Sequence, residues 1–213
     1  MADKKTYQFK PQKALTLWAL WLMGIEIFGL ACWAAGETIA MLEGGHASAM
    51  TSIVLLVGIF VSVAMMIASG VVSLCWVYGA CRNAHVLRPG GVTSSPGWAV
   101  GWFFVPVVSL WKPYQTLNDI WNASLGPVNG AYPKSTPLIT TWWIGFIAGN
   151  LILRFTGNTS GGEDGLTYQP TLSNWADVGG LVLIIAATIC FFVIVRTVDR
   201  HQQVASIPVA ETF

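Results

Sequence analysis

Four stretches of this chain are long, apolar and nearly free of charge, and they limit its fold more than any other feature: Ala14 to Ala35, Ile53 to Val77, Leu138 to Phe155 and Val178 to Val195. Crossing roughly 30 Å of hydrocarbon takes about 20 helical residues, because a helix pairs a segment's peptide groups without help from water. The third and fourth stretches are short and are expected to stand nearly upright. Charged residues make up 10% of the 213 residues, against about 25% in a typical soluble domain. The expected fold class is an all-α integral membrane protein, a four-transmembrane-helix bundle forming a single membrane domain over residues 1–213.

Orientation follows from the cations, which are retained on the cytoplasmic side during insertion. With both termini inside (N-in/C-in), Lys4, Lys5, Lys10, Lys13, Arg82, Arg88, Lys112, Lys134, Arg196 and Arg200 lie inside and only Arg154 outside, while the outer loops carry Glu37, Glu43, Glu163, Asp164 and Asp177. Trp18, Trp76, Trp142, Trp143 and Trp175 suit the half-wet interfaces. The first stretch is read as a mature helix rather than a cleaved signal: it is too long, it contains Glu26, and Gly29 stands where a lipoprotein signal ending at Cys32 would carry leucine.

Gly97 to Trp111 is apolar but only fifteen residues long and is interrupted by Gly101 and Pro106. A crossing there would also put Arg196 and Arg200 outside. Residues 97–124 are therefore assigned as a re-entrant or interfacial hairpin entered from the cytoplasm between helices 2 and 3. Pro113 can begin a short helix within it, where a missing N–H is no loss. Tyr114, Leu117 and Trp121 recur at helical spacing, with Asp119 and Asn122 off that stripe, as expected of a helix lying in the membrane plane. The second helix is expected to continue through Cys81 and Asn83 until Pro89 and Gly90-Gly91 break it.

In lipid, helices associate where small residues let backbones approach. Gly29, Cys32 and Gly36 form one such stripe, Gly58, Ser62, Ser69 and Ser73 a second, and Thr141, Gly145 and Gly149 a third. The spacing alone leaves open whether each stripe faces this chain or another copy of it.

Glu26 is the sharpest candidate residue, since a charge near mid-span costs about 2.5 to 3.5 kcal/mol on insertion scales. Its bland reading is a protonated carboxyl hydrogen-bonded to Ser62, Ser69 or Asn150; its functional reading is a carrier of protons or a cation, with Asn150 or Ser69 nearby. One carboxylate without a visible relay favours the bland reading. Arg82, Asn83, Lys112 and Tyr114 form the second candidate group, suited to a lipid phosphate or a partner. Against that stands a snorkelling Arg82 and an Asn83 that caps the helix end.

Other functions find little support. The net charge of +1 offers no broad basic surface for nucleic acid. Cys32, Cys75, Cys81 and Cys190 form no CxxC pair and read as small buried hydrophobes. His46, His85 and His201 lie in loops or at helix ends, so no intramembrane pair ligates a haem. No metal, cofactor or catalytic residue is expected. The triplets at Asn122 and Asn158 match a glycosylation pattern that often arises by chance.

The run from Tyr78 to Ser124 carries Arg82-Asn83, Ser-Pro-Gly-Trp at 95 to 98, Trp-Phe-Phe-Val-Pro at 102 to 106 and Trp-Lys-Pro-Tyr-Gln at 111 to 115. It resembles the bacterial membrane family DUF4328 over roughly residues 50 to 200. That resemblance implies a multi-span bacterial protein marked by this hairpin, and it supplies no activity and no catalytic residues. The expected role is a non-enzymatic accessory, scaffold or lipid-contacting protein of the inner (plasma) membrane, partnered by the bilayer and by another membrane protein or its own copy. The alternative is a small homo-oligomeric channel or transporter using Glu26. A lipid enzyme using Arg82, Lys112 and Tyr114 ranks third.

Overall fold

The computed structural model describes residues 7–43, 48–128, 130–156 and 172–205. Among them are six α-helices: α1 Lys13–Leu42, α2 Ala49–Leu87, α3 Pro96–Gly101, α4 Lys112–Leu125, α5 Pro137–Thr156 and α6 Leu172–Ala205. The only β pairing there is one antiparallel bridge between Val128 and Ala131. α1, α2, α5 and α6 are long and apolar enough to cross a membrane. Large apolar side chains face outward on them, such as Trp21, Phe28, Phe60 and Ile144, as expected where the surrounding solvent is hydrocarbon.

The helices outrun the apolar stretches that announce them. α1 continues through Glu37 to Leu42, and α6 has 34 residues where a short span was expected. No proline interrupts either extension, and polar residues are compatible with a helix that is already nucleated. Glu37 and Asp177, expected in loops, therefore lie on helices. Trp33 Nε1 donates to Glu37 at 3.2 Å, and the Thr156 hydroxyl donates to the carboxylate of Asp177. α2 ends where expected, with Gly90 at φ +80° and Gly91 N–H donating to the Arg88 carbonyl. Its start is capped by Ser48, whose hydroxyl accepts the Thr51 N–H. The Ser48 N–H, followed by the Thr51 hydroxyl, holds the Glu43 carboxyl below the usual carboxylate range. Glu163, Asp164, His46, Lys4, Lys5 and the Asn158 triplet lie outside the described residues.

Two compact units account for the contacts. One comprises the described residues of Met1–Leu20, Val71–Thr140 and Phe192–Phe213, the other Trp21–Gly70 and Thr141–Phe191. Each of the four long helices contributes to both, so neither unit is a separable piece of chain.

Within the second unit, small residues set how closely helices approach. Gly29 sits against Ser62 and Gly58 against the backbone of Trp33, joining α1 to α2. On α5, a Cβ at Gly149 would fall 2.9 Å from the Gly180 carbonyl oxygen and 2.7 Å from Ile184 of α6. The GxxxG stripe thus serves contacts inside the chain. Trp142 adds a stacked contact with Phe191 at 5.1 Å between ring centroids. Gly24, by contrast, has open space where a Cβ would stand. Gly149→Leu should cost the about 1–3 kcal/mol of stability typical of overpacking, seen as a lower thermal unfolding midpoint in detergent, whereas Gly24→Leu should leave that midpoint unchanged or raise it.

Candidate functional site

The unit containing Arg82, Asn83, Lys112 and Tyr114 is held by polar side chains bonded to one another. Gln202 of α6, 2% exposed, is the centre of one group. Its amide donates to the Ala80 carbonyl at 3.1 Å and to Ser124 Oγ at 2.9 Å, and its oxygen accepts from Asn83 Nδ2 at 3.3 Å. Asn83 in turn clasps the backbone of Lys10, accepting its N–H at 3.0 Å and donating to its carbonyl at 2.9 Å. This two-way pairing fixes the non-helical segment Tyr7 to Gln12 along α2. Gly79 leaves room for the Gln12 amide, which a Cβ would overlap, and Tyr7 stacks on His85 with centroids 5.0 Å apart. Asn83 is therefore not a helix cap: α2 runs on to Leu87 because nothing before Pro89 breaks it.

Ser94 centres the second group. Its carbonyl accepts from Cys81 Sγ at 3.4 Å and from His85 Nε2 at 2.9 Å, which places the ring proton on that nitrogen. Its hydroxyl bonds Thr116 at 3.1 Å and accepts from Trp102 Nε1 at 3.1 Å. One residue earlier, Thr93 donates from both backbone and side chain to Asp119, at 3.0 and 2.7 Å. Ser95 then caps α3. The loop between α2 and α3 thereby ties α2 to α4 and to the root of the hairpin through Thr93, Ser94 and Ser95.

α4 buries a face that its apolar periodicity marks only at Leu117. Thr116, Leu117, Ile120, Ala123 and Ser124 are buried, while Tyr114 and Trp121 are only half-buried. Asn118 and Asn122 are buried as well, because their amides hold the approach to α5: Asn118 accepts the Thr136 N–H at 2.9 Å and Asn122 donates to the Pro133 carbonyl at 2.9 Å. The apolar stripe gave way to the demand that buried peptide groups be paired. Pro113 does stand in the first turn, as expected.

Between α3 and α4 the chain makes turns and one 3₁₀ turn, Val108–Leu110. Val107 has φ +65° and ψ −53°, and the Val108 N–H bonds the Pro106 carbonyl at 2.7 Å across it. This is the rare, strained form of γ-turn, carrying a β-branched residue at a positive φ. Such a conformation costs on the order of 1–3 kcal/mol.

The four candidates for phosphate binding lead to different places. Asn83 is committed to Lys10 and Gln202, Lys112 lies 5.8 Å over the Trp102 ring, and Tyr114 bonds Thr140 at 3.1 Å. Arg82 keeps a buried Nε without a hydrogen-bond partner. Arg88, not singled out by sequence, lies over Tyr132 at 3.3 Å. In the other unit, Ser69 donates to Glu26 at 2.5 Å. Of the three partners expected for Glu26, Ser62 has a buried hydroxyl without a partner beside Gly29, and Asn150 donates to Phe146 of its own helix at 2.9 Å.

Sequence reading missed Gln202 and Ser94. Gln202 was legible as the continuation of a buried stripe through Val195 and Val198, one turn further on; Ser94, in a loop, carried no periodic signal. Residues 39–200 match the family described as "Domain of unknown function (DUF4328)", and the chain belongs to that family. No curated protein and no solved structure matches it.

If Asn83 and Gln202 are architectural, Gln202→Ala should lower stability by about 1–3 kcal/mol, the cost of leaving buried polar groups unpaired. Arg200→Ala, at an exposed position of the same helix, should not. Hydrogen exchange at the Lys10 amide should rise at least about tenfold in Asn83→Ala, and an unchanged rate there would refute the clasp.

Proposed function

We propose that this DUF4328 member is a non-enzymatic accessory or scaffold protein of the bacterial inner membrane, multi-pass, with both termini cytoplasmic, acting through contact with lipid and with a membrane-protein partner or its own copy. The observation that carries this reading is that the buried amides and hydroxyls around Gln202, Ser94 and α4 are engaged by the chain itself, with Arg82 Nε and Asn122 Oδ1 as unpaired atoms among them. Asn83, Gln202, Ser94, Thr116, Asn118 and Asn122 all bond to one another or to backbone. A catalytic site needs polar groups aimed at a vacant position where a substrate can sit, and these groups are aimed at the chain itself.

The distribution of charge supports the orientation. Lys10, Lys13, Arg82, Arg88, Lys112, Lys134, Arg196 and Arg200 belong to one unit, whereas Arg154 belongs to the other together with Glu37, Glu43 and Asp177. Retention of cations in the cytoplasm would place the cationic unit inside.

The transport reading rests on Glu26, a carboxyl inside an apolar helix bonded to Ser69. Neither Ser62 nor Asn150 extends that pair into a relay. Liposomes carrying the wild-type chain should leak protons and sodium no faster than liposomes carrying Glu26→Gln, with both proteins equally folded. A wild-type flux that Glu26→Gln abolishes would overturn the accessory reading in favour of a transporter.

A further inference from the structure

The segment between α3 and α4 exposes Phe104 (70%), Val107 (67%), Leu110 (55%) and Trp111 (43%). It is anchored at one end by Trp102 on Ser94 and at the other by the start of α4 at Lys112. An apolar surface on a loop is usually a liability in water. Three properties suit this one to lipid.

First, most of its backbone donors are used internally although it is not a continuous helix, the N–H groups of Val105 and Val107 being the exceptions. The N–H groups of Trp102, Phe103, Phe104, Val108, Ser109, Leu110 and Trp111 donate to carbonyls between Trp98 and Val108, and Pro106 has no N–H to satisfy. Self-pairing of this kind is the condition for irregular backbone to enter a region poor in water. Second, Val107 occupies a positive-φ turn that glycine would adopt without strain, so the chain holds a branched apolar side chain at the tip against its conformational preference. Third, the apolar run ends at a cation, Lys112, beside Trp102 and Trp111. Aromatic rings followed by a lysine match the order of environments from acyl chain to headgroup phosphate.

We propose that Phe104 to Trp111 insert into the acyl–headgroup boundary of one leaflet of the same bilayer that the long helices cross, with Lys112 at the level of the lipid phosphates. The loop does not cross to the other leaflet. It acts as a shallow anchor that fixes the α3–α4 region, and through Ser94 the end of α2, at the depth of the interface. This inference rests on the membrane reading given above.

An environment-sensitive fluorescent amino acid placed at Phe104 or at Val107 tests it, without removing the native cysteines. The full chain would be assembled in nanodiscs of phosphatidylethanolamine and phosphatidylglycerol, with the same probe at Lys134 as a wet reference and at Phe60 as a deep one. The two sites also guard against a misfolded variant, because Phe104 lies outside the strained turn. At Phe104 and Val107 the emission should be shifted to the blue of the Lys134 probe. It should also be quenched several-fold more by a nitroxide near the lipid carbonyls than by one near the chain ends, and weakly by aqueous iodide. Probes as wet as Lys134 beside a dry Phe60 would overturn the insertion alone, whereas a wet Phe60 would overturn the membrane reading itself. Strongest quenching from the chain ends would replace the shallow anchor with a deep re-entrant loop. Probes that become dry only when a second protein is present would assign the surface to that protein instead of the bilayer.

Discussion

The pairing of peptide groups in places that water does not reach is the constraint on which the rest of this structure depends. In the long helices it is met locally, by the i to i−4 ladder, so any sufficiently apolar stretch satisfies it. Between Arg88 and Thr136 the chain leaves that ladder repeatedly, and several of these departures are repaired by a named group. Asp119 takes the Thr93 N–H, Ser95 the Trp98 N–H, and Asn118 the Thr136 N–H, while Asn122 serves the Pro133 carbonyl. The polar residues of an otherwise apolar chain are concentrated where the helix is interrupted, and their first task is architectural.

This assignment explains why so few candidates for chemistry remain. An asparagine such as Asn83 attracts notice in sequence because it is polar and next to an arginine. In the fold it is 1% exposed and engaged through both amide atoms, so it has little left to offer a ligand. Ser69 similarly satisfies Glu26 in the first long helix, as Trp33 does Glu37. What the described surface does offer is apolar: the outward faces of the four long helices and the tip of the α3–α4 loop.

The four long helices were legible because hydrocarbon imposes a length and a composition that sequence displays directly. The break of α2 near Pro89 and the start of α4 at Pro113 were legible for the same reason, since proline and glycine act locally. Their other boundaries were not, because hydropathy locates the apolar part of a helix and α1 and α6 run beyond it as far as Leu42 and Ala205. The buried face of α4 was not legible because Leu117 and Trp121 give a periodic signal and Asn118 and Asn122 do not, although the latter are buried by their partners at Thr136 and Pro133. Gln202 meets Asn83 across 119 positions of sequence, a separation at which no local pattern carries information.

The central claim is that four crossings hold the cationic unit on the cytoplasmic side, and labelling of introduced cysteines in intact cells by a membrane-impermeant maleimide tests it most directly. Met50→Cys, at the exposed first turn of α2, and Lys134→Cys, at an exposed site before α5, report the two sides. The account predicts that Met50→Cys is modified in intact cells and Lys134→Cys only after the cells are opened, each measured above the native thiols. Modification of Lys134→Cys in intact cells would contradict it.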